Sequence, residues 1–131
     1  MTEPVSALGA EKFVSLTTFK KDGSAVATPM WIGRDGDDLF FWTPVESWKA
    51  KRAKNNPRVV MVPCSRSGKV REGARPVEGV AELVTDAATV QRLAGVIRHK
   101  YGFEFTIVTF IERLLARGAK PRLIIRVALP S

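Results

Sequence analysis

Residues 38–64, DLFFWTPVESWKAKRAKNNPRVVMVPC, hold the pattern on which the fold turns. DLFFWT (38–43) is an aromatic, apolar run without a helical period and reads as a strand. Pro44 stops it. ESWKAKRAKN (46–55) reads as a helix, with Trp48, Ala50 and Ala53 expected on its inner side and charges filling the rest. Asn55-Asn56-Pro57 ends it, because the residue before a proline is pushed out of the helical region. RVVMVPC (58–64) is then another strand.

Upstream, FVSLTTFK (13–20) is a β-branched and aromatic strand, and Lys21-Asp22-Gly23-Ser24 carries a hairpin turn signal. SAVATPMWIGR (24–34) is expected as one second strand. Pro29 lacks a backbone donor, which places that part at an edge, a bulge or a ligand-facing position. A second turn at Asp35-Gly36-Asp37 then suggests an antiparallel meander into 38–43. Downstream, SRSGKVREGAR (65–75) is a polar loop, and PVEGVAELVT (76–85) is a strand in which Gly79 suggests a bulge. Asp86 caps a helix to about Lys100, with Val90, Leu93, Ala94 and Ile97 on one face. Residues 103–120 are helical and apolar, with Gly118 as the expected C-cap and Arg117 in the last turn. LIIRVAL (123–129) is the last strand.

Six antiparallel strands and two or three helices follow. No strand–helix alternation runs through the chain, so the expected class is mainly β, an antiparallel barrel with helices packed on it. A length of 131 residues suits one domain spanning 1–131. No apolar run nears the roughly 18 residues of a membrane span, and MTEPVSALGAEK has no secretory pattern, so a cytoplasmic location is expected. Cys64 is the single cysteine, which excludes an internal disulfide. With His99 as the single histidine, far from it, no usual zinc spacing exists.

The net charge of +8 is concentrated. Between Lys49 and Arg75 stand nine basic residues and one acid, Glu72, so this segment holds the whole excess. That focus calls for an anionic partner. Ser47 lies at the start of the 46–55 helix, where backbone N–H groups lack partners. Position 50 is Ala where a capping box would place Glu or Gln, so the end is expected to be open to an external anion. Lys49 and Arg52, three apart, add charge beside it. Together these residues suit a phosphate. Phe41, Trp42 and Thr43 lead into the same corner, where a flat ring could lie against the sheet.

TTFKKDGSAVATPMWIG followed by DLFFWTPVESWKAKRAKNNPRVVMV resembles the pyridoxamine-phosphate-oxidase-like split β-barrel family of flavin and deazaflavin binders. The shared features are the hairpin, a strand ending in an aromatic and Thr, S-x-K, a helix closed by N-P, and a further strand. PCSRSGK (63–69) looks most like the branch that uses the deazaflavin F420. The resemblance implies a homodimer with two cofactors in clefts at the subunit interface. It puts the phosphate near Ser47 and Lys49, and the ring near Thr28, Pro29, Met30, Trp31 and Thr43. Trp48, Arg52, Pro63, Cys64 and Lys69 complete the expected cofactor site. FMN-using oxidases of the family carry a basic residue where Trp48 stands and a Lys on the second strand, where this chain has TPMWIG. Both departures favour F420 over FMN. Arg66, Lys69, Arg71 and Arg75 would receive the oligoglutamate tail of F420.

The implied activity is hydride transfer from reduced F420 to a planar, electron-poor small molecule, such as an activated C=C bond or a quinone. The alternatives are an FMN oxidoreductase of the same fold, or a non-catalytic F420 carrier. A nucleic-acid binder would call for a recognised module or an aromatic-basic face, and neither is read. No catalytic dyad is visible. His99 is expected to be solvated, Cys64 to be a small buried residue and Tyr101 to pack at a helix end. Trp31 reads either as core or as a ligand wall. The apolar 104–117 helix is expected to pack on the barrel or on a second subunit. A lid over the cleft, or contact with a membrane surface, is the alternative.

Overall fold

The structure is a computed structural model and describes residues 3–70, 72–116 and 121–129. In chain order its elements are α1 (Glu3–Gly9), β1 (Val14–Phe19), β2 (Ala25–Met30), β3 (Gly33–Asp35), β4 (Asp38–Pro44), α2 (Trp48–Asn55) and β5 (Arg58–Pro63). They continue with β6 (Val77–Val84), α3 (Ala87–Tyr101), α4 (Phe103–Ala116) and β7 (Arg122–Ala128). All strand pairs are antiparallel, in the order β2-β1-β5-β6-β7-β4-β3. The mainly β class holds, with seven strands and four helices among the described residues.

The extra strand arises because 24–34 is not one strand. It breaks at Trp31 and Ile32, which join β2 and β3 at opposite edges of the sheet. That short link reaches only about 10 Å. The sheet must therefore curl until its two edges approach, which is the split barrel. The expected meander is broken for the same reason: β4 pairs with β3 and β7, not with β2. Pro29 does lie on an edge, since β2 is bonded to β1 alone.

Period-two alternation distributes the strands over two cores. On β4, Leu39 and Phe41 point into the barrel interior while Phe40 points under α3, and all three are fully buried. Ile125 and Val127 on β7 share the first core and Ile124 the second. Leu93 and Ile97 of α3 cover the second core; Asp86 caps that helix by accepting from the Thr89 N–H at 3.0 Å. The short α1, unread in the sequence, closes the first core with Val5 and Leu8.

Gly79 is not a bulge. It sits in regular register opposite Val59, and a Cβ there would lie 2.3 Å from Val127 Cγ1. Close approach of the neighbouring strand requires the glycine. Trp48 also departs from expectation: Ala50 and Ala53 are buried, but Trp48 is 71% exposed. The 103–116 helix does not turn its apolar side to the barrel. Phe103, Ile107, Val108, Phe110, Ile111, Leu114 and Leu115 are all exposed, while Phe105 packs against the second core. The expected cap at Gly118, with Arg117, lies outside the described residues, as does Arg71. No helix among the described residues is long and apolar enough to cross a membrane.

Candidate functional site

A cleft of about 500 Å³ opens where β2, β4 and α4 meet. Pro29, Met30 and Trp31 line one side, as β2 ends and the chain crosses between sheet edges. Trp42, Thr43 and Pro44 from the end of β4 line another. Ile107 and Val108 of α4 close over it. The lid reading of α4 therefore has a structural counterpart at these two residues.

The aromatic walls are braced from behind. Trp31 stacks on Tyr101 with ring centroids 4.4 Å apart, and Phe105 stacks on Trp42 at 5.0 Å. Tyr101 is structural, as expected. Its hydroxyl donates to the Lys12 carbonyl at 2.7 Å and accepts from the Ile32 N–H at 2.9 Å. Burial pushes its pKa up to about 12. Its helix neighbour Lys100 reaches the carbonyls of Gly9, Glu11 and Ile32, pinning the crossing segment in place.

The charges of the cleft are unequal. Arg66, Arg122 and Lys49 are its cations, and Glu104 and Glu112 its carboxylates. Glu104 pairs with Lys12 and with Arg66 at 3.4 Å, and Glu112 pairs with Arg122. Arg122 also lies 4.0 Å over the Trp42 ring. Lys49 has no carboxylate partner among the described residues. Burial lowers its pKa, and the nearby positive charges of Arg52 and Arg122 lower it further. A half-buried cation in positive surroundings is satisfied by an anion from outside.

Ser47 caps α2 itself, its Oγ accepting from the Ala50 N–H at 3.2 Å, with Thr43 Oγ1 3.4 Å away. The helix end is thus less open than expected. The N–H groups of Trp48 and Lys49 nevertheless receive no side-chain acceptor among the described residues. Anion binding at that turn is left to them and to the Lys49 ammonium.

Of the residues expected in the site, Pro29, Met30, Trp31, Thr43 and Lys49 line this cleft. Ser47 stands behind it at the helix cap. Trp48 and Arg52 line a different cleft on the far side of α2. Thr28 is paired opposite Leu16 and Pro63 opposite Val14, and neither lines the cleft. Cys64 is buried in an isolated bridge to Val70, and burial pushes its thiol pKa up, which fits an inert core residue. Lys69 is exposed and apart, so Arg66 is the one described cation of the 65–75 loop that reaches the cleft. Arg122 and Glu112 were not read in the sequence. Arg122 arrives because β7 pairs with β4, placing it opposite Pro44.

The family model for pyridoxamine 5'-phosphate oxidase matches residues 2–129. The chain belongs to the pyridoxamine 5'-phosphate oxidase family. Its fold is the flavin-binding split β-barrel of that family. A pyridoxamine 5'-phosphate oxidase-like structure from Listeria innocua superposes with a TM-score of 0.68 at 18% identity, covering 98% of this chain and 92% of the other. A structure described as an F420 reductase gives a TM-score of 0.63 at 23% identity, over 96% and 93%. HutZ, the heme storage protein from Vibrio cholerae, gives 0.69 at 12% identity, over 99% and 91%. The family scaffold thus appears in proteins with different stated roles, and these likenesses establish the fold. No curated protein matches significantly.

Proposed function

We propose that this member of the family is an F420-binding oxidoreductase that passes hydride from reduced F420 to a planar, electron-poor acceptor such as an activated C=C bond or a quinone. The observation that carries the reading is Lys49: a cation with no carboxylate partner among the described residues, at the first turn of α2 and beside a cleft walled by Trp31 and Trp42. An anionic cofactor with a flat ring suits both features. The FMN alternative would draw on a cation from β2, and β2 contributes Pro29 and Met30 to the cleft but no Lys or Arg.

The bound deazaflavin would supply the hydride. The chain would supply position: Lys49 and the free N–H groups of α2 hold the phosphate, while Pro29, Met30 and Trp31 bound the ring. Ile107 and Val108 exclude water from the acceptor. Among the described residues no His, Cys or Tyr lines the cleft, and its two carboxylates are tied in ion pairs. The proton that completes a reduction then comes from solvent, which suits an acceptor already activated toward hydride. The reading includes a cytoplasmic homodimer with its cofactor clefts at the subunit interface.

The test is to titrate protein made in a host without F420 against F420 and FMN separately, following fluorescence and heat. Tight F420 and weak FMN binding is expected; the reverse order would move the chain to the flavin branch. Lys49→Ala should weaken F420 binding by about 1.5–3 kcal/mol, the scale of hydrogen bonds to charged groups. An unchanged dissociation constant would remove Lys49 from the site. Because Lys49 has a lowered pKa, affinity should fall with rising pH earlier than an ordinary lysine would dictate.

A further inference from the structure

Trp48 and Lys49 are consecutive, yet they line different clefts that share no residue. The second cleft, about 560 Å³, lies between the outer side of α2 and the β1–β2 hairpin. Its floor is apolar: Phe19, Val26 and the exposed ring of Trp48. Its rim carries Lys20, Lys21, Lys51 and Arg52, and among the described residues no carboxylate lines it. The neighbouring acid of the hairpin, Asp22, is engaged by the Ser24 N–H at 2.9 Å and the Ser24 hydroxyl at 2.6 Å.

Arg52 is anchored rather than loose. Its Nε donates to the buried Thr18 Oγ1 at 2.7 Å, and among the described residues the rest of its guanidinium makes no hydrogen bond. Lys51 stands 4.6 Å over the Trp48 ring, so the aromatic floor and the cationic rim are in contact. Asn55 ends the cleft with an amide that offers one donor face and one acceptor. That pair matches the N6/N7 edge of adenine. Four cations call for a ligand with several negative charges. The floor calls for a flat ring on the same molecule.

We propose that this second cleft binds an adenine nucleoside polyphosphate, with its base on Trp48 and Asn55 and its phosphates on Lys20, Lys21, Lys51 and Arg52. The site is independent of the cofactor assigned to the first cleft.

The probe is ADP, titrated into the cofactor-free protein at physiological salt by calorimetry and tryptophan fluorescence. Binding with a fluorescence change is expected, and Trp48→Phe should abolish most of that change. The double variant Lys20→Ala/Lys51→Ala should bind at least tenfold more weakly; both side chains are exposed, and circular dichroism checks that the variant is folded. Inorganic pyrophosphate, which has no ring, should also bind at least tenfold more weakly than ADP. No ADP binding at millimolar concentration would overturn the proposal, and so would equal affinity for ADP and pyrophosphate. Undiminished ADP binding by the double variant would place the nucleotide elsewhere. Displacement of ADP by saturating F420 would assign the cleft to the anionic tail of that cofactor, and so would also overturn it. Failure of F420 to bind at all bears only on the first cleft.

Discussion

Helix α2 carries four cations in eight residues, and α4 exposes seven large apolar side chains in fourteen, yet of these two it is α2 that reaches the barrel interior. It does so through Ala50 and Ala53, whose small size lets the backbone approach the sheet while the long cationic side chains fan outward. Helix α4 turns Phe105 and Thr109 inward and holds its place through aromatic stacking and the Glu112–Arg122 pair. Its apolar side is left facing out. Apolar patches left exposed in this way commonly serve as interaction surfaces. The contrast separates two quantities that a hydropathy profile merges: how apolar a helix is, and which of its faces the fold covers.

The sharpest way to break this contrast is to place the same charge on each helix. Ala53→Asp buries a carboxylate with no partner in the first core, and should cost about 3–5 kcal/mol by denaturant unfolding, the scale of an uncompensated buried charge. A loss under 1 kcal/mol would mean that α2 is not seated on the core.

A smaller effect probes the foothold of α4. Tyr101, on which Trp31 stacks, has a pKa near 12 in the folded chain against an ordinary value of 10.0. Between these values the folded state keeps a proton that the unfolded chain has released. The stability from its burial and hydrogen bonds is therefore fully present below pH 10 and is lost as pH rises toward 12. The loss should reach about 2–3 kcal/mol, at roughly 1.4 per pKa unit. Tyr101→Phe should flatten that part of the profile, and a parallel pH dependence in both proteins would refute the assignment.

The smallest effect is expected on the outer face of α4. Leu115→Asp, at a side chain 82% exposed, should change the unfolding free energy of the single chain by no more than about 0.5 kcal/mol. A loss comparable to that of Ala53→Asp would show that this face is covered in solution, and comparison of the two proteins by size-exclusion would tell whether a second copy covers it.

Much of this was legible in the sequence for local reasons. The strands read at 13–20 and 58–64, the cap at Asp86, and the stop at Asn56-Pro57 depend on residues near one another, and all appear within a residue of the expected positions. Helix α1 was not legible because two apolar residues, Val5 and Leu8, are too few to set a period. The break at Trp31 and Ile32 was hidden for a different reason. Pro29 before it and Gly33 after it are the local signals, but a proline also fits an edge strand, and only closure of the sheet turns them into a break. In the site, Met30 and Trp31 could be read from one stretch and Lys49 from the next, together with the resemblance the two carry. Arg122 and Glu112 could not, since a pairing between distant strands brings them there.

That pairing also has a consequence in time. Strand β7 is bonded to β6 on one side and β4 on the other, so it alone joins the four strands β2-β1-β5-β6 to the hairpin β4-β3. Its partner Pro44 precedes Arg122 by roughly 80 residues, a stretch that takes about 4–16 s to translate at 5–20 residues per second. Throughout that interval the nascent hairpin offers Phe40 and Phe41 with no strand to cover its open edge. A chain stalled before β7 would leave the ribosome with two partial sheets and a sticky border between them.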